Sequence, residues 1–186
     1  MLSYQDYLMI ISPPDIIKKR VSRYKRASAN VIGKFKGMYS IAHITITHQQ
    51  RCKPYHAEPA ILRMEQKLAG MHPVELHIKG FNFFKHGATG FTIYAVIEPA
   101  GLNQNWFKLL KKQMGIKVKN FVPHITIVKN IPVSDFNKLW PYFEKSDLSE
   151  TFKAESLTIL HRDTFAEYVE WRVYKELFFG NRLTAF

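Results

Sequence analysis

Cysteine is almost absent. Cys52 is the only one in 186 residues, so no internal disulfide can form, and a reducing, cytoplasmic setting is expected. Long apolar runs are also missing. Each soon meets Lys, His or Gly, which excludes a bilayer-spanning segment. The opening residues, Met1 to Asp6, carry no basic region followed by an apolar stretch and a small-residue cleavage site. Neither a secretory signal nor a membrane anchor is expected there. No Gly-rich loop of the P-loop kind occurs, so no motif calls for ATP. Acidic residues are scarce beside basic ones, 15 Asp and Glu against 27 Lys and Arg, for a net charge of +12. That imbalance favours a polyanionic partner, with nucleic acid as the default.

What is present is a globular pattern. Hydrophobic residues make up 46% and charged residues 23%, which excludes disorder as the main state. Tyr7 to Ile11 reads as a strand. Ser12 and Pro13 then open a helix with Ile17, Val21 and Tyr24 inward and Lys18, Lys19, Arg20, Arg23, Lys25 and Arg26 on the remaining faces. A strand through Ile41 to Thr47 follows, then a helix over Pro59 to Ala69, then a strand from Val74. The second half has the same order: a strand over Phe91 to Ile97, a helix over Leu102 to Met114 with Trp106, Leu109 and Leu110 inward, and a strand over Phe121 to Val128. A helix after Ser134 comes next, which Pro141 should kink or shorten. Strands at Ser156 to Leu160 and around Val169 to Val173 close the chain.

That order is an internal repeat. Ala42-His43-Ile44-Thr45-Ile46-Thr47 matches Pro123-His124-Ile125-Thr126-Ile127-Val128 at an offset of 81. The same offset carries Leu76 to Leu157 and Ile78 to Ile159. The expectation is an α+β fold of two strand-helix-strand-helix-strand units, related by a pseudo-two-fold axis. They form one bilobal domain over residues 1–186, with sequence halves near 1–88 and 89–186.

Side chains alternate along a strand. His43 and Thr45 therefore share one face while Ile44 and Ile46 bury on the other, and the second motif does likewise. If the lobes face each other, two imidazoles and two hydroxyls meet in one space. Imidazole titrates near pH 6.5, so one ring can be neutral and the other charged. The neutral ring takes a proton from an attacking hydroxyl or water, and the charged ring gives one to the leaving oxygen. The hydroxyls bond the non-bridging phosphoryl oxygens, where negative charge grows. This is a metal-free acid–base arrangement for a phosphodiester. A single His-Ile-Thr-Ile would be an ordinary half-buried strand. Two copies at matching places in a basic protein carry the functional reading.

These paired motifs resemble the two-histidine (2H) phosphoesterase superfamily, which includes 2′-5′ RNA ligase-like proteins and cyclic nucleotide phosphodiesterases. Its mark is a pair of His-φ-Thr/Ser-φ motifs, φ being apolar. Both are intact here, and Pro123 before the second motif is typical. Ala42 stands where a proline often does. The resemblance implies mainly antiparallel sheets lining a central cleft. It also implies a reaction at 2′,3′-cyclic phosphates or 2′-5′ links of RNA ends or small nucleotides, without a cofactor or metal. His43 and His124 would be the acid–base pair, and Thr45 and Thr126 the phosphate ligands. A ligase running the same chemistry in reverse and a non-catalytic RNA-binding module are the competing readings.

Tyr39, Phe121, Arg51 and Lys129 are expected as substrate contacts, with Lys53, Lys119 and Tyr168 as weaker candidates. The basic stretch Lys18 to Arg26 either grips an RNA backbone or is a solvated face. His48, Cys52 and His56 fall short of a four-ligand zinc site. No obligate protein partner is expected.

Overall fold

The computed structural model describes residues 4–88, 90–101, 104–117, 120–166 and 170–180. The expected contributions of Lys119, Tyr168 and Val169 fall outside these residues. The elements run β1 (Gln5–Ile11), α1 (Asp15–Ile32), β2 (Ile44–Cys52), α2 (Pro54–Leu68), β3 (Val74–His86), β4 (Gly90–Pro99), α3 (Trp106–Gln113), β5 (His124–Pro132), α4 (Val133–Glu144), β6 (Ser149–Ala154), β7 (Ser156–Asp163) and β8 (Arg172–Phe178). No described helix is long and apolar enough to cross a membrane.

All eight strands join one antiparallel sheet in the order β6-β3-β4-β5-β2-β1-β7-β8. The pairing is symmetric about its centre. β2 pairs with β1, which pairs with β7; β5 pairs with β4, which pairs with β3. The third strand of each sequence unit thus crosses over and pairs with the first strand of the other. Leu76 and Ile78 on β3, and their repeat partners Leu157 and Ile159 on β7, are all fully buried at these exchanged positions. The helices follow the same rule. α1 packs on α4 and β5, α4 covers β3 to β5, and α2 packs on α3 and β8. The sequence halves 1–88 and 89–186 therefore interleave in space.

The two four-stranded halves meet at a narrow seam, where Ile44 of β2 is the register partner of Ile125 of β5. Both side chains are wholly buried. Ile125→Ala should cost about 2–5 kcal/mol, the range for deleting a buried aliphatic side chain that cannot be refilled. Urea unfolding would read this directly.

Several boundaries differ from the sequence expectation. Pro14, not Ser12, occupies the start of α1, with its carbonyl accepting from the Ile17 and Lys18 N–H groups. α2 begins at Pro54 and runs through Pro59. α4 likewise runs through Pro141 to Glu144. α3 turns Phe107 inward and leaves Leu109 exposed. β6, which pairs along β3, was not expected.

Candidate active site

The seam places the site. In an antiparallel pair with Ile44 opposite Ile125, His43 falls opposite Thr126 and Thr45 opposite His124. Opposed residues lie about 5 Å apart at Cβ and diagonal ones about 7–8 Å. The two histidines are one diagonal pair and the two threonines the other, so all four side chains share one face. The structure agrees: Lys25, Ser40, Ile41, His43, Thr45, His124 and Thr126 line one pocket of about 30 Å³.

Each imidazole is held the same way. His43 Nδ1 lies 2.7 Å from the Ile41 carbonyl, and His124 Nδ1 lies 2.8 Å from the Val122 carbonyl. A carbonyl only accepts, so both Nδ1 atoms carry the proton and donate it. In the neutral ring Nε2 is then left as the free base. His124 is further walled by Phe84 and Tyr94, at ring separations of 5.1 and 5.2 Å.

Burial lowers the pKa of both rings below the ordinary 6.5. The bonds to Ile41 and Val122 oppose that by favouring the charged form. His43 differs from its repeat partner in one respect. The charges of Lys25, His124 and Lys129 push it down further. The twin motifs are therefore electrostatically unequal.

Lys25 is the residue that sequence reasoning missed. It is only 2% exposed. Its ammonium donates to the Gly37 carbonyl at 3.1 Å, the Ser40 carbonyl at 2.8 Å and Ser40 Oγ at 2.8 Å. Three acceptors for three N–H groups keep it bound in the folded chain, while burial pushes its pKa down to about 8. By anchoring Ser40, it fixes the segment whose next residue, Ile41, orients His43. The signal was in the sequence. Ile17, Val21, Lys25 and Ser28 fall on one helical stripe, and all four are buried. A lysine on that stripe marks a buried charge rather than part of a solvated cluster.

The rest of the basic stretch divides. Arg20 pairs with Glu150, and Lys18 lies 3.3 Å from Asp15. Lys19, Arg23 and Arg26 are exposed.

The other expected contacts are scattered. Lys129, on β5 five residues past His124, is close enough for its charge to act on His43. Tyr39 is 79% exposed on the turn leading to the pocket. Phe121 packs against Phe107 at 5.7 Å, with Lys111 Nζ 4.9 Å from its ring centre, and does not line the histidine pocket. Arg51 is not brought to the seam. β2 runs away from it, and the eight residues from His43 to Arg51 extend about 26 Å. There the Arg51 N–H donates to Asp6 at 3.1 Å, and its guanidinium lies 5.9 Å from the Phe165 ring. Lys53 lies at that same far end, over Tyr4 and Tyr55. His48 packs edge-on to Trp171, and Cys52 points to the Gln50 carbonyl.

A symmetric antiparallel α+β sheet with a His-x-Thr motif on each side of its seam defines the two-histidine phosphoesterase class. Comparison with known proteins gives the family. The chain belongs to the 2′-5′ RNA ligase superfamily, whose model matches residues 13–164, both motifs included. No curated protein sequence matches it. Among solved structures it is similar to TT0787 of Thermus thermophilus, at 15% identity and a TM-score of 0.66, covering 95% of this chain and 99% of that one. It is also similar to E. coli LigT complexed with 3′-AMP, at 11% identity and a TM-score of 0.65 over 94% and 98%. Usb1 of Kluyveromyces marxianus shares 10% identity and a TM-score of 0.51 over 95% and 98%. These likenesses establish the shared fold.

Proposed function

We propose that the protein is a metal-independent phosphodiesterase acting on 2′,3′-cyclic phosphates or 2′-5′ links of RNA ends or small nucleotides. The observation that carries this reading is the pocket itself, where two Nδ1-anchored imidazoles and two threonine hydroxyls face one small space. The similarity to LigT, which has been solved with 3′-AMP, supports a nucleotide ligand.

The electrostatic inequality supports an assignment of roles in hydrolysis. Lys25 and Lys129 favour a neutral His43, which makes it the general base. Its Nε2 takes a proton from the attacking water as the new P–O bond forms. His124, charged in the complex beside the anionic phosphate, gives its Nε2 proton to the leaving ribose oxygen as that P–O bond breaks. The Thr45 and Thr126 hydroxyls donate to the non-bridging oxygens, where charge grows in the transition state.

The test is a nucleoside 2′,3′-cyclic monophosphate incubated with the protein in EDTA. Turnover to a single phosphomonoester is expected. Inactivity accompanied by tight, steeply salt-dependent RNA binding would favour a binding module instead.

The pH profile is a second check. kcat/KM reports groups of the free enzyme. One histidine must be neutral and the other charged, and both pKa values lie below 6.5. A bell with its maximum on the acid side of neutrality is therefore expected. A rate flat from pH 5 to 9 would contradict the assignment.

A further inference from the structure

We infer that the groove between the outer face of α1 and residues 38–42 is a subsite for the RNA strand that leads to the reacting end. The inference rests on the proposed phosphodiesterase reading and extends it from small nucleotides to oligonucleotides.

Size is the first argument. The histidine pocket, about 30 Å³, is too small for a nucleoside. The remainder of any substrate must lie outside it. The neighbouring groove has a volume of about 720 Å³ and shares Ser40 and Ile41 with the pocket, so the two adjoin.

Charge is the second. Asp15, Lys19, Ser22 and Arg26 follow helical spacing and all line the groove. Lys18 lines it too and is paired with Asp15. Among the described residues, no carboxylate pairs with Lys19 or Arg26. Their Cα atoms stand ~10 Å apart along the helix. The wall thus offers two separated cations, suited to successive backbone phosphates rather than to one anion.

The opposite wall is the third. Tyr39 is 79% and Ile41 70% exposed, although both are apolar-bodied side chains. An exposed ring facing a row of cations is the pairing that single-stranded nucleic acid uses, with bases stacked and phosphates neutralised.

The experiment compares two substrates near 150 mM salt, where charges beyond about 8 Å are largely screened. One is a nucleoside 2′,3′-cyclic monophosphate, which lacks the upstream backbone phosphates that Lys19 and Arg26 would bind. The other is a tetraribonucleotide ending in a 2′,3′-cyclic phosphate. The double variant Lys19→Glu/Arg26→Glu should raise KM for the tetramer at least tenfold with kcat unchanged. It should leave the mononucleotide within twofold. Tyr39→Ala should raise the tetramer KM about five- to tenfold, within the range for loss of one stacked base. Equal effects on both substrates, or none on the tetramer, overturn the subsite.

If the wild-type protein turns over neither substrate, the phosphodiesterase reading fails, and anisotropy of a labelled single-stranded oligoribonucleotide decides the groove by itself. Weaker binding by the double variant, with the slope of log K against log salt reduced by about 1.4 for two lost phosphate contacts on a single strand, supports it. Equal binding by both proteins rejects it.

Discussion

Replacing either His43 or His124 by alanine should lower kcat on a 2′,3′-cyclic phosphate by about 10²–10⁴-fold, the usual contribution of a positioned acid or base. The loss should be similar at either position, because one reaction needs both proton transfers. The double variant should be little worse than the single ones, since residues that act as a unit are not additive. Neither ring supports the core. The buried side chains of the motifs are Ile44, Ile46, Ile125 and Ile127, on the opposite face. Melting temperatures close to wild type are therefore expected, and circular dichroism would establish this before rates are compared. Two well-folded single variants with wild-type rates would remove the active site assigned here. Thr126→Val keeps the shape of the side chain and deletes one donor to the phosphoryl group. It should reduce kcat by less than either histidine variant.

Lys25→Met should give the second large effect, and one with a distinctive signature. Methionine fills much the same space without charge or donors. The Gly37 and Ser40 carbonyls lose their ammonium partner, the segment leading to Ile41 loosens, and His43 loses its fixed orientation. A fall of about 10–100-fold in kcat is expected, the scale of loss when the partner that orients a metal-bound imidazole is removed. The charge effect sets the direction of the pH change. Lys25 holds the His43 pKa down, so its removal raises that pKa. The limb of the kcat/KM profile set by His43 should move to higher pH.

Stability gives an independent reading of the same residue. The folded-state pKa of Lys25 is about 8, against an ordinary 10.5. Between those values the unfolded chain binds more protons, so stability rises with pH. The slope approaches about 1.4 kcal/mol per pH unit for one proton. Tyr7, pushed up to about 12 by burial, acts in the opposite direction once pH passes its ordinary value of 10.0. Cys52, held above its ordinary 9.0 by burial, acts in that opposite direction too, so the clean window is pH 8 to 9. Urea unfolding across it should show this rise in the wild type and not in Lys25→Met. A common slope would place the lysine charge elsewhere.

The repeated motif was legible because its chemistry and its packing have the same period. Alternation along a strand puts His and Thr on one side and Ile on the other, and the constant offset carries that pattern to both sides of the seam. The exchange of β3 and β7 was not legible. Leu76 and Leu157 report burial on an equivalent face, but they do not say which strand lies beside them. Arg51 shows the same limit. Closeness in sequence to His43 suggested closeness in space, whereas an extended strand carries residues apart faster than any other regular structure. The start of α2 was expected at Pro59 and lies at Pro54 because either proline is tolerated in a first turn, and packing of Ala57 and Ile61 decided between them. Lys25 was hidden by its neighbours. Five other basic residues nearby made a sixth look like more of the same, although its phase matched Ile17 and Val21.

The crossing of the third strands bears on how the chain is made. A ribosome releases residues in order, yet β1 stays without one neighbour until residues 156–163 emerge, and β3 must wait for β4. The half β6-β3-β4-β5 is complete in sequence at Ala154, whereas the half β2-β1-β7-β8 waits for β7 and β8 at the end of the chain. The seam strands β2 and β5 are both made by the time Pro132 emerges, so the two imidazoles can meet before the sheet that supports His43 is complete. A truncated product lacking β7 would carry both His-x-Thr motifs and still leave an open sheet edge at β1, exposed to chaperones and proteases.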